Sequence, residues 1–412
     1  MTKHGSGPIS PDCTTGAIFA VEGIRNAVVL LNGPMGCRFY HSTTSRFLTV
    51  RPLLRLPERE GEEPRPVDYN TLNNWFFRQE RVPCTWLDGE DYVYGTKEKV
   101  LEALAYIRDH TAFDLLAIVD SPGASLIGDA LLEPARAILG DRVVLLESPG
   151  LSASFEEGAS YAALEVLRQG VKLRPFTGER TGKRVNLLGL NLWQRYQEGD
   201  ILEIRRILGL CGIETGAVLM AGCSLPDLEQ IPRADLNLVL YPELGLDCAR
   251  YLEETLGMPY YACETLPVGF TAAEALVTEV CRRLGTDPAP ALEESRRARA
   301  LAWYKIRDIE QSYGRPRGVK FHVDIGPSAD KAYTAFLRDY LAMEPAPARE
   351  AELVFSDANV IAALMLENRR FCGIEARMPG MGYTDLLPKT HLGVRGALFL
   401  IEQVLNGLMS KI

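Results

Sequence analysis

The 412-residue chain has no run of about 18 apolar residues, the length that a membrane-spanning helix requires. Nor does it have a basic block of the kind that tracks a phosphate backbone. Its cationic clusters, Arg296-Arg297-Ala298-Arg299 and Arg315-Pro316-Arg317, are short, and the formal net charge is -9. No nucleic-acid partner and no membrane association are therefore expected. The opening stretch MTKHGSGPISPDCTTG lacks the apolar centre of a secretory signal, which gives a cytoplasmic expectation. There is no short internal repeat, and MEPAPAREAE around residue 347 reads as a loop. In a reducing compartment the cysteines Cys13, Cys37, Cys84, Cys211, Cys223, Cys248, Cys263, Cys281 and Cys372 do not form a disulfide framework. They divide instead into core thiols and candidate metal ligands.

What is present is apolar content of 47%, enough to build two or three packed domains. Short branched runs are each followed by a Gly/Ser/Pro turn and a helical stretch. The runs are 27–31, 115–119, 143–146, 185–190, 217–220, 236–240, 319–323 and 353–355. Continuous apolar strands alternating with helices predict an α/β fold with parallel sheets covered on both faces. Tyr92 to His110 has the three-to-four apolar spacing of one surface helix. The unit recurs too often for a single domain, and Gly, Pro and charge cluster near 176–184 and 312–318. Division there gives segments 1–181, 182–314 and 315–412.

The chemistry concentrates before residue 90. In LLNGPMGCRFYHS (30–42), Cys37 follows an apolar strand on a turn made of Gly33, Pro34 and Gly36. Ligands in open α/β sheets sit outside the carboxyl ends of strands. Gly33 and Gly36 have no Cβ, so backbone N–H groups there could approach an anionic inorganic group such as a sulfide-bridged iron cluster, whose ligands are thiolates. Cys13 in SPDCTTG and Cys84 in RVPCTWLDGEDYVYG also lie on turn-rich segments, whereas Cys211, Cys248, Cys263 and Cys281 lie on or beside apolar elements and read as packing thiols. The spacing C-x23-C-x46-C contains no short C-x2-C step, so it is not a zinc ribbon, ferredoxin or thioredoxin motif. On spacing alone, a three-thiolate metal site and three unrelated turn cysteines both remain open.

GPMGC, with Cys13 upstream and CTWLDGEDYVYG downstream, resembles the cluster-binding N-terminal pattern of the nitrogenase component 1 family. Further similar segments follow in order: DSPGASLIGDAL (120–131), ESPGLSASFEEGASYAALEVL (147–167), LPDLEQIPRADLNLVLYPELGLDCARYLEETLGMPYY (225–261) and THLGVRGALFLIEQVLN (390–406). The resemblance implies three Rossmann-like domains, a cluster-binding one followed by a middle and a C-terminal one. It puts Cys13, Cys37 and Cys84 on the family's metal-ligand positions. They would hold an iron-sulfur cluster, 4Fe-4S or P-cluster-like, at the boundary with a homologous component 1 subunit in a homo- or hetero-oligomer. Electrons would come from a separate ATP-dependent iron-sulfur reductase. The substrate class stays open, as does the catalytic residue.

The chain also departs from the family pattern. In catalytic nitrogenase subunits a cysteine that anchors the active-site metal cofactor follows the LNLV strand; here Tyr241 stands there, and EARMPGMGY (375–383) lacks the family's cofactor histidine. The resemblance therefore implies a non-catalytic, beta-type oxidoreductase subunit, or alternatively a scaffold for assembling a nitrogenase-type metallocofactor. Ser121 in SPGASLIGD enters a helix, but without a P-loop lysine. Cys223 and Cys372 read as turn thiols. His41 is a candidate to tune a cluster from behind its ligands. His391 is read as a helix-entry histidine bonded to backbone, with a proton donor near a pocket as the alternative.

Overall fold

The computed structural model describes residues 11–34, 37, 54–55, 65–66, 81–147, 153–180, 182–367, 369–380 and 385–410. Gly36 and His41 lie outside the described residues. The branched runs form strands, beginning with Ala27–Asn32 (β1). Leu54–Arg55 (β2) and Arg65–Pro66 (β3) form a small antiparallel pair. Leu115–Asp120 (β4) and Val143–Leu146 (β5) complete a parallel sheet of order β1-β4-β5. Every residue of β1 and β4 is buried, as a sheet covered on both faces requires. An extended stretch the sequence pattern does not announce runs beside the free edge of β1. Leu31 N–H donates to Pro83 O at 2.9 Å and Thr85 N–H to Leu31 O at 3.0 Å, with Leu31 and Cys84 paired in parallel. Proline is tolerated there because its carbonyl, and not an N–H, is what the ladder uses.

Two further parallel sheets follow. Arg184–Leu188 (β6), Glu214–Val218 (β7), Leu236–Val239 (β8) and Tyr260–Ala262 (β9) are ordered β7-β6-β8-β9. Lys320–Val323 (β10), Glu344–Pro345 (β11), Leu353–Ser356 (β12) and Cys372–Glu375 (β13) are ordered β11-β10-β12-β13. β7 lies earlier than the expected 217–220 because Met220 (φ 55°) and Gly222 (φ 91°) turn the chain there. Cys372 opens β13 and does not sit on a turn.

The helix expected over 92–110 is two helices, Asp91–Tyr94 and Lys97–His110. Gly95 takes φ 102°, and Asp129 accepts hydrogen bonds from the Thr96 N–H at 2.5 Å and its hydroxyl at 2.9 Å, so a second helix start is built at that point. The Cys13–Glu22 helix is buried along its whole length and packs on the Phe155–Gln169 helix. The two approach through glycine: a Cβ on Gly16 would lie 2.0 Å from Phe155 O, and one on Gly158 1.9 Å from Cys13 O. One large apolar cluster joins the second and third sheets, and another joins the first sheet's helices to the second sheet. Cys211, Cys248, Cys263 and Cys281 are buried, as their apolar settings imply. Among the described residues no helix is long and apolar enough to cross a membrane.

Candidate functional site

In each parallel sheet, counting the 82–85 stretch beside β1 in the first, the strand order reverses between two neighbours, and the crevice at their carboxyl ends is where an open α/β sheet can receive a ligand. In the first sheet the neighbours are β1 and β4, with the Val82–Thr85 stretch on the far side of β1. Asn32 ends β1 and is fully buried. Its Nδ2 donates to Asp120 Oδ1 at 2.8 Å and to Thr96 Oγ1 at 3.1 Å, while its Oδ1 accepts from Thr85 Oγ1 at 3.1 Å. Gly33 N–H donates to Thr85 Oγ1 at 3.1 Å. A Cβ on Gly33 would lie 2.7 Å from the Ser121 Cβ, so the close approach this glycine permits is to Ser121. Ser121 in turn caps the Pro122–Ile127 helix through Ala124 N–H at 3.3 Å. Burial pushes the Asp120 carboxyl up to about 6, against the Asn32 hydrogen bond and with the Glu147 and Asp129 charges adding to the rise.

Cys84 lies at this strand end, Cys37 is in electrostatic reach of it, and Cys13 starts the helix that packs on β1 and β4. Cys84 Sγ contacts Gly33 O at 3.0 Å and accepts from Trp86 N–H at 3.4 Å. Cys37 is half-buried, its N–H donates to Pro34 O at 3.2 Å, and its thiol is pushed up to about 11, first by burial, then by the nearby charges of Asp12 and Cys84. Cys13 follows Asp12, whose carboxylate caps the first helix through Thr15 N–H at 2.8 Å. Cys37 is thus within electrostatic reach of Cys84 on one side and of the residue before Cys13 on the other. Cys13 is the first residue of a helix and 1% exposed, a more enclosed position than its turn-rich sequence suggests. Among the described residues no group of three Cys, His, Asp or Glu side chains is spaced to hold a metal ion. The donor chemistry of Cys84 and Cys37 suits a thiophilic group, with the Trp86 N–H aimed at the Cys84 sulfur.

A second crevice lies where the three sheets meet. It narrows to a cavity of about 40 Å³, lined among others by Tyr196, Asp200, Tyr241, Tyr333 and Arg377. That is room for roughly three water molecules. Asp200 is fully buried, and its Oδ1 accepts from Thr390 Oγ1 at 2.7 Å and from the His391 N–H at 3.1 Å. Burial nonetheless pushes its carboxyl up to about 7. Behind the cavity, His391 Nδ1 lies 2.6 Å from the Tyr333 hydroxyl and its Nε2 2.5 Å from Gln403 Oε1; Gln403 Nε2 donates to the Tyr196 hydroxyl at 3.2 Å. The Gln403 amide orientation makes Nε2–H the donor and Nδ1 the acceptor. His391 therefore bonds side chains, and burial lowers its pKa to about 4, so it is a neutral positioning group rather than a proton donor.

The family model for nitrogenase component 1 type oxidoreductases matches residues 13–349. The chain belongs to this family. It is 33% identical over 309 residues to a light-independent protochlorophyllide reductase subunit of Synechococcus sp. (strain CC9605), covering 72% of this chain and 53% of that protein. The same-named protein of Methylobacterium radiotolerans is 32% identical over 267 residues, 63% of this chain and 46% of that one. The chain spans about half the length of the curated relatives it matches. In fold it is similar to a solved nitrogenase Cp1 at pH 6.5, with a TM-score of 0.76 over 100% of this chain and 95% of the other at 18% identity. For this family member, the thiol positions and Tyr241 could be read from short motifs. The Asn32-Asp120-Thr85 network and Asp200 could not, because their partners lie 53 to 190 residues away in sequence. Only their position after an apolar strand or on a helix's inner face marks them.

Proposed function

We propose that the chain is the iron-sulfur, beta-type subunit of a nitrogenase-like oxidoreductase. It would relay low-potential electrons from an ATP-dependent iron-sulfur reductase toward a metallocofactor or substrate site shared with a homologous subunit. What supports this reading is the family match together with the place of Cys84 and Cys37 near the carboxyl end of β1 at a sheet switch point, Cys13 starting the helix that packs on that sheet. These residues would hold the cluster, of the 4Fe-4S or P-cluster type. Such a group supplies one-electron storage and release. The protein's own part is to keep the thiols in place and to exclude water. Gly33 O and Trp86 N–H fix the Cys84 sulfur, and the Asp12 cap fixes the helix on which Cys13 starts.

The beta-type assignment rests on the junction cavity. Tyr241 stands at the end of β8, and no thiol or imidazole of the described residues lines the space. The residues there do not fit such a group, and no step is routed through it.

The test is iron and acid-labile sulfide after anaerobic purification, with the homologous partner co-expressed. About four irons per chain, lost in Cys37→Ser with the fold intact, is the expected result. Full iron retention in the Cys37→Ser, Cys84→Ser and Cys13→Ser variants, or no iron in the native complex, would overturn the reading.

A further inference from the structure

β7 is an edge strand, and its free side forms one wall of an open cleft of about 840 Å³, within the size range of small-molecule sites. The opposite wall is the Gln197–Leu210 helix, and the floor reaches Gly23 and Arg81. The cleft is lined by none of Cys13, Cys37 and Cys84 and shares no lining residue with the junction cavity. In a chain of net charge -9 it collects five arginines, Arg25, Arg81, Arg184, Arg205 and Arg233, against three acids, Glu22, Glu198 and Asp227.

Three of those arginines are structural. Arg81 donates to Ile24 O at 2.7 Å and Ala27 O at 2.9 Å, Arg25 binds Gly222 O and Asp227, and Arg184 pairs with Glu214. Arg205 and Arg233 are exposed and form no ion pair within 4.0 Å among the described residues, although the Arg205 charge helps hold the Asp227 carboxyl down. Arg233 is held by stacking over the Phe176 ring at 5.6 Å, which leaves its fork of donors free. Between the two walls the surface mixes polar and apolar groups. Ile201, Val218 and Ala221 are buried, and Leu202 stands 47% exposed at the mouth. Gln197 Oε1 and Thr215 Oγ1 are enclosed within the walls and have no hydrogen-bond partner among the described residues.

We propose that this cleft binds an amphipathic organic anion. Its apolar body lies on Leu202, Ile201 and Val218, and its acidic head is met by Arg205 and Arg233. The proposal does not depend on the iron-sulfur reading.

The probe is 1-anilinonaphthalene-8-sulfonate, which has an aromatic body, an N–H and a sulfonate, titrated by fluorescence into the complex as purified. N-phenyl-1-naphthylamine, the same body without the charge, serves as the comparison. The expected result is one saturable site whose sulfonate affinity falls about tenfold or more in Arg205→Gln/Arg233→Gln, while the neutral compound changes less than about twofold. Leu202→Asp should weaken both compounds, and Cys37→Ser neither. Both arginines are exposed, so the double variant should melt with the native protein; if it does not, Arg205→Glu alone reads the same loss. Unchanged sulfonate binding in the arginine variants overturns the proposal. So does binding to the isolated chain that vanishes in the complex, because the cleft is then a subunit contact.

Discussion

At the scale of single residues, the glycines on the first helix pair are held by backbone contacts that leave no room for a side chain. The atom a Gly158 side chain would meet is the backbone carbonyl of Cys13, 1.9 Å from the ideal Cβ, and a backbone atom in a fully buried helix has no rotamer through which to yield. Gly158→Ala therefore has to push the Cys13–Glu22 and Phe155–Gln169 helices apart. A loss of about 1–3 kcal/mol is expected in denaturant unfolding, despite the better helix propensity of alanine. Gly209 is the internal control. It lies in the Gln197–Leu210 helix with nothing within 4 Å of its ideal Cβ, so Gly209→Ala should gain roughly 0.5–1 kcal/mol in the same measurement. Opposite signs from one chemical change would locate the constraint in the helix contact; equal signs would remove it. Gly33 shows the limit of reading such residues from sequence. The need for a missing Cβ was legible, but the neighbour that requires it, Ser121, comes from the end of a strand distant in the chain, where Asp120 pairs with Asn32 across 88 residues.

At the scale of elements, the parallel sheets were legible because each buried strand is a continuous branched run, and β1, β4 and β8 contain no exposed residue to interrupt it. What was not legible is set by contacts distant in sequence. The 82–85 stretch is extended because β1 supplies its partners, and the break before Lys97 exists because Asp129 caps Thr96 from 33 residues away. Tyr92 to His110 has the periodicity of one helix, and only Gly95 hints otherwise. Asp129→Ala removes both bonds to Thr96 and should cost about 1–2 kcal/mol by thermal or denaturant unfolding. Because Thr96 Oγ1 also accepts from Asn32, hydrogen exchange should quicken at the start of the Lys97–His110 helix and at the end of β1 together. Quickening confined to the helix would show that the Asn32 network stands without the cap.

At the scale of the whole molecule, the buried titratable groups at the meeting of the sheets pull stability in opposite directions with pH. The Asp200 carboxyl is raised by burial to about 7, far above the value of about 3.9 for an unfolded chain. Between those values the folded protein holds a proton that the unfolded chain has released, so this group makes stability fall as pH rises, by at most about 1.4 kcal/mol per pH unit. Asp120, raised to about 6, acts in the same sense over a narrower window. His391 acts in the other. Its pKa is lowered by burial to about 4, so between about 6.5 and 4 the unfolded chain binds a proton that the folded one refuses, and stability falls as pH falls. Asp200→Asn keeps an oxygen to accept from Thr390 and the His391 N–H while removing the charge. Its stability relative to the native protein should therefore climb from pH 4 to pH 7 and level off above. His391→Gln should show the complementary trend, gaining on the native protein as pH drops from about 6.5. Melting curves of the three proteins across pH 4–8 test both. Differences that stay flat would mean that Asp200 and His391 titrate near their ordinary values, and that the junction admits water freely.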